Sequence, residues 1–293
     1  MTSPGKALHL SDSALESMAQ VSDLDIEAAR SVWASSVPAR WKPLLDSQTV
    51  GEPKLSSPFV WDASSRRYIH LKSRRYVPFM DLRSQAIEPM IRAGKLAGRT
   101  IGSALQNGGT LADWQRAMLE HVKTTQIAAG LASAGGPDAM SKKDKEKLAA
   151  EILIFLLLLR KFSYEMEAKT FPLNGRLLLR SDLYSAAARD TFEETRRFGM
   201  GVYFGATEEM RVLGKGEHCE SDGELEGCIE LHDLFWQPIG TLPRLGETPC
   251  RSNCLCHFDY RYKDERGAWV IVDDSATVAA ILKQFKVKEA INE

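Results

Sequence analysis

Residues 141–169 read SKKDKEKLAAEILIFLLLLRKFSYEMEAK, and this stretch decides the fold class. Ser141-Lys-Lys-Asp144 is a capping box. The serine side chain accepts a hydrogen bond from the first turn, and the carboxylate reaches back to the backbone of the cap. No glycine or proline interrupts the chain from Lys145 onward, so the pattern predicts one long helix to about Lys169. Its centre, Ile152–Leu159, is apolar on every side. A helix of that kind is expected to be enclosed by other helices. Eight apolar residues closed by Arg160 fall well short of the roughly 20 needed to cross a bilayer.

Helical signals extend to both sides. Thr110 and Asp113 form a second capping box, and Trp114, Met118 and Val122 follow as one apolar stripe. Gly135-Gly136-Pro137 stops that helix. Asp81–Gln106 is expected to be helical, interrupted or started late by Pro89 and closed by Asn107-Gly108-Gly109. A further helix is expected from about Ser181 to Arg197. After Gly199 the helical period disappears. Gly199–Gly205 lacks the spacing of a phosphate-binding motif and reads as a loop. Short strands are expected at Met210–Leu213, Cys256–Tyr262 and Trp269–Val272, then a C-terminal helix from about Ser275.

The N-terminal part is sparser. Residues 1–10 read as a tail and 11–35 as a short acidic helix. Pro38, Pro43, Pro53 and Pro58 predict an extended arm or linker over 36–58, and the N-terminal 58 residues as a whole are expected to order on a partner. Val60–Val77 alternates like a small β-hairpin. The expected fold class is therefore α+β. It comprises an N-terminal arm (1–58), a hairpin with a mainly helical body (59–198), and a small Cys-rich α+β module with a C-terminal helix (199–293).

With 293 residues, 44% hydrophobic and 26% charged, the chain can bury a substantial core. A net charge of −1 excludes coating of nucleic acid by bulk charge. The N-terminus lacks a basic start followed by an apolar run, so no secretory signal is expected. The expected setting is the cytoplasm of the producing cell, with reduced cysteines.

Local charge is uneven. Arg66, Arg67, Lys72, Arg74 and Arg75 crowd the hairpin, and residues 36–75 carry eight basic against three acidic side chains. This is either a solvated strand face or a contact with phosphate or an acidic protein. Trp61, Tyr68 and Tyr76 interleave with the arginines, as anchors of a protein interface would.

All five cysteines fall between positions 219 and 256. Cys219 and Cys228 make one loop, and Cys250, Cys254 and Cys256 make a second, tighter one. Two thiolate loops can bring four sulfurs to one tetrahedral zinc ion. The expected ligands are Cys219, Cys228, Cys250 and Cys254, with Cys256 able to replace one. Free buried thiols and disulfides are the competing readings. A site closed by four sulfurs has no open position for water or substrate, so its role would be structural. Between the loops, Glu217, Glu220, Asp222, Glu224, Glu226, Glu230 and Asp233 are too many for an acid–base pair and read as a solvated face, with a Ca²⁺ or Mg²⁺ site as the alternative. No G-x-S-x-G, H-E-x-x-H or Walker A motif is present.

Residues 209–262 carry a resemblance to a family. The features are an Arg-containing strand, the Cys loop with His218, Trp236-x-Pro-Ile-Gly240, Leu242-Pro-x-x-Gly246 and Asn253-Cys254-Leu-Cys256 before a strand. This stretch resembles the C-terminal module of the Mu F-like phage head morphogenesis proteins, also called minor head or minor capsid proteins. The likeness extends loosely to the region from position 60, although the Cys219–Cys228 spacing is wider than the family's tight pair. The resemblance implies a non-enzymatic virion protein of a tailed phage, assembled in the host cytoplasm and placed at the portal vertex or inside the head. It implies the portal or major capsid protein as partner and no membrane; the basic hairpin would face an acidic portal surface, the favoured reading, or packaged DNA. Two other classes stand beside it: a zinc-stabilised nucleic-acid-binding module, and a hydrolase or transferase using the His/Cys/Asp cluster.

Overall fold

The computed structural model describes residues 5–49, 57–214 and 218–272. The expected C-terminal helix from Ser275 lies outside them. The chain is a mainly helical α+β protein with two small sheets among the described residues. Its helices are α1 (Asp12–Ala19), α2 (Asp23–Ser36), α3 (Phe79–Leu82), α4 (Glu88–Gln106), α5 (Leu111–Ala134), α6 (Lys142–Glu167), α7 (Gly175–Ala186), α8 (Ala188–Gly199) and α9 (Cys228–Asp233). No described helix is long and apolar enough to cross a membrane.

The N-terminal segment differs from the arm expected of it. Ser22 and Asp25 complete a capping box for α2, and Ala39–Asp46 form a 3-10 helix that accommodates Pro43. Leu15, Ala19, Ile26, Ala29, Trp33, Trp41, Leu44 and Leu45 are buried in the same core as the later helices. The prolines do rule out one continuous α-helix, but the apolar residues between them are enough to dock the segment. Residues 50–56 lie outside the described part.

The first sheet holds β1 (Gln48–Thr49), β2 (Phe59–Asp62), β3 (Arg67–His70) and β4 (Arg75–Tyr76). β1 pairs parallel to β2, and the other pairs are antiparallel. Trp61 and Tyr68 enter the helical core, where the Tyr68 hydroxyl donates to the Ala132 carbonyl at 2.9 Å. Gly135 ends α5 at φ 95°, and a Cβ there would overlap the Trp61 indole, so the close approach requires glycine.

The enclosed helix is α5, not the centre of α6. Every residue from Thr124 to Gly136 is buried, and the run is rich in Ala, Gly and Ser, which let neighbours approach from all sides. In α6, Ile152, Phe155, Leu156 and Leu159 face inward, whereas Ile154 and Leu158 are exposed. A π-helical turn at Arg83–Ile87 joins α3 to α4 immediately before Pro89, so helix runs through the expected break. The Gly199–Gly205 stretch is likewise not a loop: Met200–Phe204 extend α8 by a π turn that Gly205 ends. Along α4, Gly94, Gly98 and Gly102 lay bare backbone against Ser185, Ser181 and Leu178 of α7.

The second sheet has the order β6-β5-β7-β8, with β5 (Glu208–Val212), β6 (Gln237–Pro238), β7 (His257–Lys263) and β8 (Trp269–Ile271), all antiparallel. It builds a second core around Phe258, Tyr260, Leu231, Leu245 and the buried cysteines. Between the two cores lies α8, almost wholly buried although its sequence is ARDTFEETRRFG. Its ionisable side chains tolerate burial because opposite charges face most of them, while Arg196 donates to the Phe258 carbonyl. Arg189 holds Glu88, Glu193 holds Arg83, and Arg197 holds Glu209. Arg244, in the loop after β6, is shared by Asp190, Glu151 and Glu194.

Candidate metal centre

Three local structures deliver the five thiols. Cys228 opens α9, with Gly227 as its cap. Cys250 precedes a 3-10 turn at Arg251–Asn253, which aims Cys254 and Cys256 back toward α9 just before β7 begins. Cys219 lies opposite, and its sulfur accepts from the Cys228 amide at 3.3 Å.

The sulfurs converge on Cys228. Its Sγ is 3.5 Å from that of Cys254 and 3.6 Å from that of Cys250, and Cys219 and Cys250 are 3.3 Å apart. Ligands about 2.3 Å from a tetrahedral zinc ion would themselves be about 3.8 Å apart. The thiols form two groups whose sulfurs all lie within 4.8 Å of one another: Cys219, Cys228 and Cys250, and Cys228, Cys254 and Cys256. Either triad is close enough to hold a metal ion. The expected quartet of Cys219, Cys228, Cys250 and Cys254 straddles both groups, with Cys228 common to them. All five cysteines are free thiols.

Two buried arginines frame the sulfurs. The Arg211 Nη1 lies 3.8 Å from the Cys254 sulfur, and its other nitrogen donates to the carbonyls of Pro243 and Arg244. Arg83 donates to the carbonyls of Cys254 and Cys256 while paired with Glu193 at 3.1 Å. The Cys254 thiol is held far below its usual range, first by its hydrogen bond with Cys228, with the Arg211 charge assisting. Cys228 is pushed up by the same hydrogen bonds to Cys254 and Cys256, and by burial.

Apolar alternation reveals neither arginine, although the family resemblance marks Arg211 through its Arg-containing strand. In β5 the inward positions are Glu209 and Arg211, and the half-exposed ones are Met210 and Val212. That reverses what apolar alternation predicts. A second signal for Arg211 is its nearness in sequence to the first Cys loop; Arg83 is more than 170 residues from the cysteines whose carbonyls it holds.

The histidines and carboxylates around the cysteines separate. His218 Nδ1 lies 3.8 Å from the Cys256 sulfur. His232 bonds the Arg211 carbonyl at 2.8 Å, and His257 Nε2 lies 3.6 Å from Asp259 with its imidazole pushed down to about 4 by burial and the Arg196 and Arg83 charges. Glu220, Asp222, Glu224, Glu226, Glu230 and Asp233 are exposed, and Asp222 and Glu230 accept from nearby backbone amides. Glu217 lies outside the described residues.

The basic hairpin divides too. Arg66 is buried, with Nη2 3.1 Å from Asp144 and its guanidinium over the rings of Trp61 and Tyr203. It is a core ion pair and, contrary to expectation, is not placed to contact DNA or a partner. Arg67 stacks on Tyr76 at 4.1 Å. Lys72, Arg74 and Arg75 are exposed at the tip. Trp61, Tyr68 and Tyr76 are buried in the fold, so they do not anchor an outer interface.

Comparison with protein-family models, curated proteins and solved structures finds no match to this chain.

Proposed function

We propose that this chain is a structural and assembly protein of a tailed-phage head, a minor head protein acting at the portal vertex or inside the capsid. Its C-terminal module would be built around a structural zinc ion. The observation that carries the reading is that residues 209–262, which bear the family resemblance, make one unit. They contain β5, α9, β6 and β7, a core of their own, and all five convergent sulfurs. Zinc suits this donor set because thiolate and imidazole ligands in a tetrahedral arrangement favour it over harder cations. A closed thiolate site supplies folding energy and offers no position for a reacting water.

The portal or major capsid protein is the proposed main partner. Exposed Ile154, Leu158 and Leu179 on the helical body offer apolar contact area. Packaged DNA is the second partner, reached by Lys72, Arg74 and Arg75 at the hairpin tip. Mass spectrometry and cryo-EM of intact heads from the producing phage test the assignment. A fixed copy number at the portal vertex or inside the shell is expected. Heads that assemble normally and never contain the chain would remove it from the virion.

A further inference from the structure

We propose that the ion is held by Cys228, Cys254, Cys256 and His218, and that Cys219 and Cys250 form a separate metal-free dithiol. This deepens the reading of the module as a metal site and rests on it. Burial divides the thiols first: Cys228, Cys254 and Cys256 are 0%, 2% and 1% exposed, whereas Cys219 and Cys250 are half-buried. The three buried sulfurs form one of the two close groups. His218 stands at the edge of that group, with Nδ1 3.8 Å from Cys256 though not within 4.8 Å of all three sulfurs, so a swing of the ring toward Cys228 and Cys254 would complete the set. Neighbouring sulfur and nitrogen ligands of a tetrahedral zinc ion lie about 3.6 Å apart, given bonds of about 2.3 and 2.0–2.1 Å.

Charge decides between the candidate sets. Three thiolates and a neutral imidazole around a divalent cation carry −1; four thiolates carry −2. The positive group touching these sulfurs is Arg211, wholly buried and 3.8 Å from Cys254. Arg83 faces Glu193 at 3.1 Å and touches backbone carbonyls, not sulfurs. The Cys₃His set therefore closes at neutrality with Arg211, whereas a four-thiolate set leaves a buried negative charge that costs solvation energy. The backbone supports the same set, because Arg83 holds the carbonyls of both Cys254 and Cys256. Such outer contacts fix ligand orientation. Cys219 and Cys250 lie 3.3 Å from each other, and neither sulfur hydrogen-bonds an arginine among the described residues; Cys219 meets the Cys228 amide and Cys250 the Thr248 hydroxyl, each at 3.3 Å, and Cys250 reaches the group through Cys228 at 3.6 Å.

The test is native alkylation of the full chain with iodoacetamide, followed by peptide mapping, with metal content measured in parallel. One zinc per chain is expected, with label on Cys219 and Cys250 and none on the other three until a chelator is added. The C219S/C250S double variant should keep the ion. His218→Ala should weaken zinc retention at least tenfold. His218→Cys should restore it and shift the spectrum of the cobalt-substituted protein to that of a four-sulfur site. Loss of the ion from C219S/C250S, two ions per chain, or label on Cys254 or Cys256 while the ion is bound would overturn the ligand set but leave metal binding standing. A folded chain that takes up no zinc would overturn both.

Discussion

Arg83, on the π-helical turn before α4, donates from Nη2 to the carbonyl oxygen of Cys254 at 3.4 Å. A residue of the helical body thus holds the backbone of a candidate ligand. Arg83→Ala should weaken metal retention by about 10–100-fold, the usual effect of losing such a support. Competition with a graded chelator measures this, and unchanged retention would reduce Arg83 to an interface ion pair.

Arg66 and Arg74 belong to one basic cluster but occupy opposite environments. Arg66→Ala leaves Asp144 charged, buried and unpaired at the start of α6, and should cost about 3–5 kcal/mol. Arg74→Ala removes an exposed charge and should stay within about 0.5 kcal/mol of the parent. Urea unfolding separates the two, and equal losses would contradict the division of the hairpin.

Asp190 gives the chain a pH signature. Burial raises its carboxyl to about 7 despite the attraction of Arg244, and the nearby Glu194 and Glu151 add to the rise. An unfolded aspartate titrates near about 3.9. Between those values the folded state binds more protons than the unfolded one, so Asp190's contribution to stability falls as pH rises through that window. The difference in unfolding free energy between the parent and Asp190→Asn should shift against the parent from about pH 4 to 7. Its steepest slope should be about 1.4 kcal/mol per pH unit, and it should be flat above that range. Parallel pH profiles would show that Asp190 stays ionised throughout.

The hairpin tip sets a ceiling on DNA contact. With Arg66 in the core and Arg67 on Tyr76, the exposed cations there are Lys72, Arg74 and Arg75. Replacing all three by alanine should reduce the magnitude of the log–log salt slope of duplex binding by at most about 2.7, at about 0.9 per phosphate contact. A larger change in a salt titration would mean that basic residues elsewhere act with the tip, and no change would leave it a solvated turn.

Much of the helical layout is legible in the sequence because capping and stop signals are local. Ser141 and Asp144 cap α6, and Thr110 caps α5 by accepting from the Asp113 amide. The three strands expected in the Cys module fall within two residues of their positions, and the short β6 at Gln237–Pro238 is not among those expected. What escapes is set by partners distant in the chain. Nothing near α8 announces that its charged residues are buried, since the matching charges stand at Glu88, Arg83, Glu209 and Arg244. The clustering of the cysteines is visible from spacing. Their grouping around Cys228 depends on where α9 begins, and the C-x8-C loop conceals that.

The glycine seam of α4 has a mechanical consequence. Interlocking side chains normally index one helix against another, but bare backbone at Gly94, Gly98 and Gly102 offers few notches to stop α7 from sliding along it. The stops are two forked ion pairs. Arg99 grips both oxygens of Asp182 in α7, and Arg189 of α8 grips both oxygens of Glu88 at the start of α4. Planar forks tolerate little axial offset, so these two clasps fix the stagger of the helices while the smooth track between them supplies close approach. Lengthwise position and packing distance are thereby assigned to different residues, and each can change in evolution without disturbing the other.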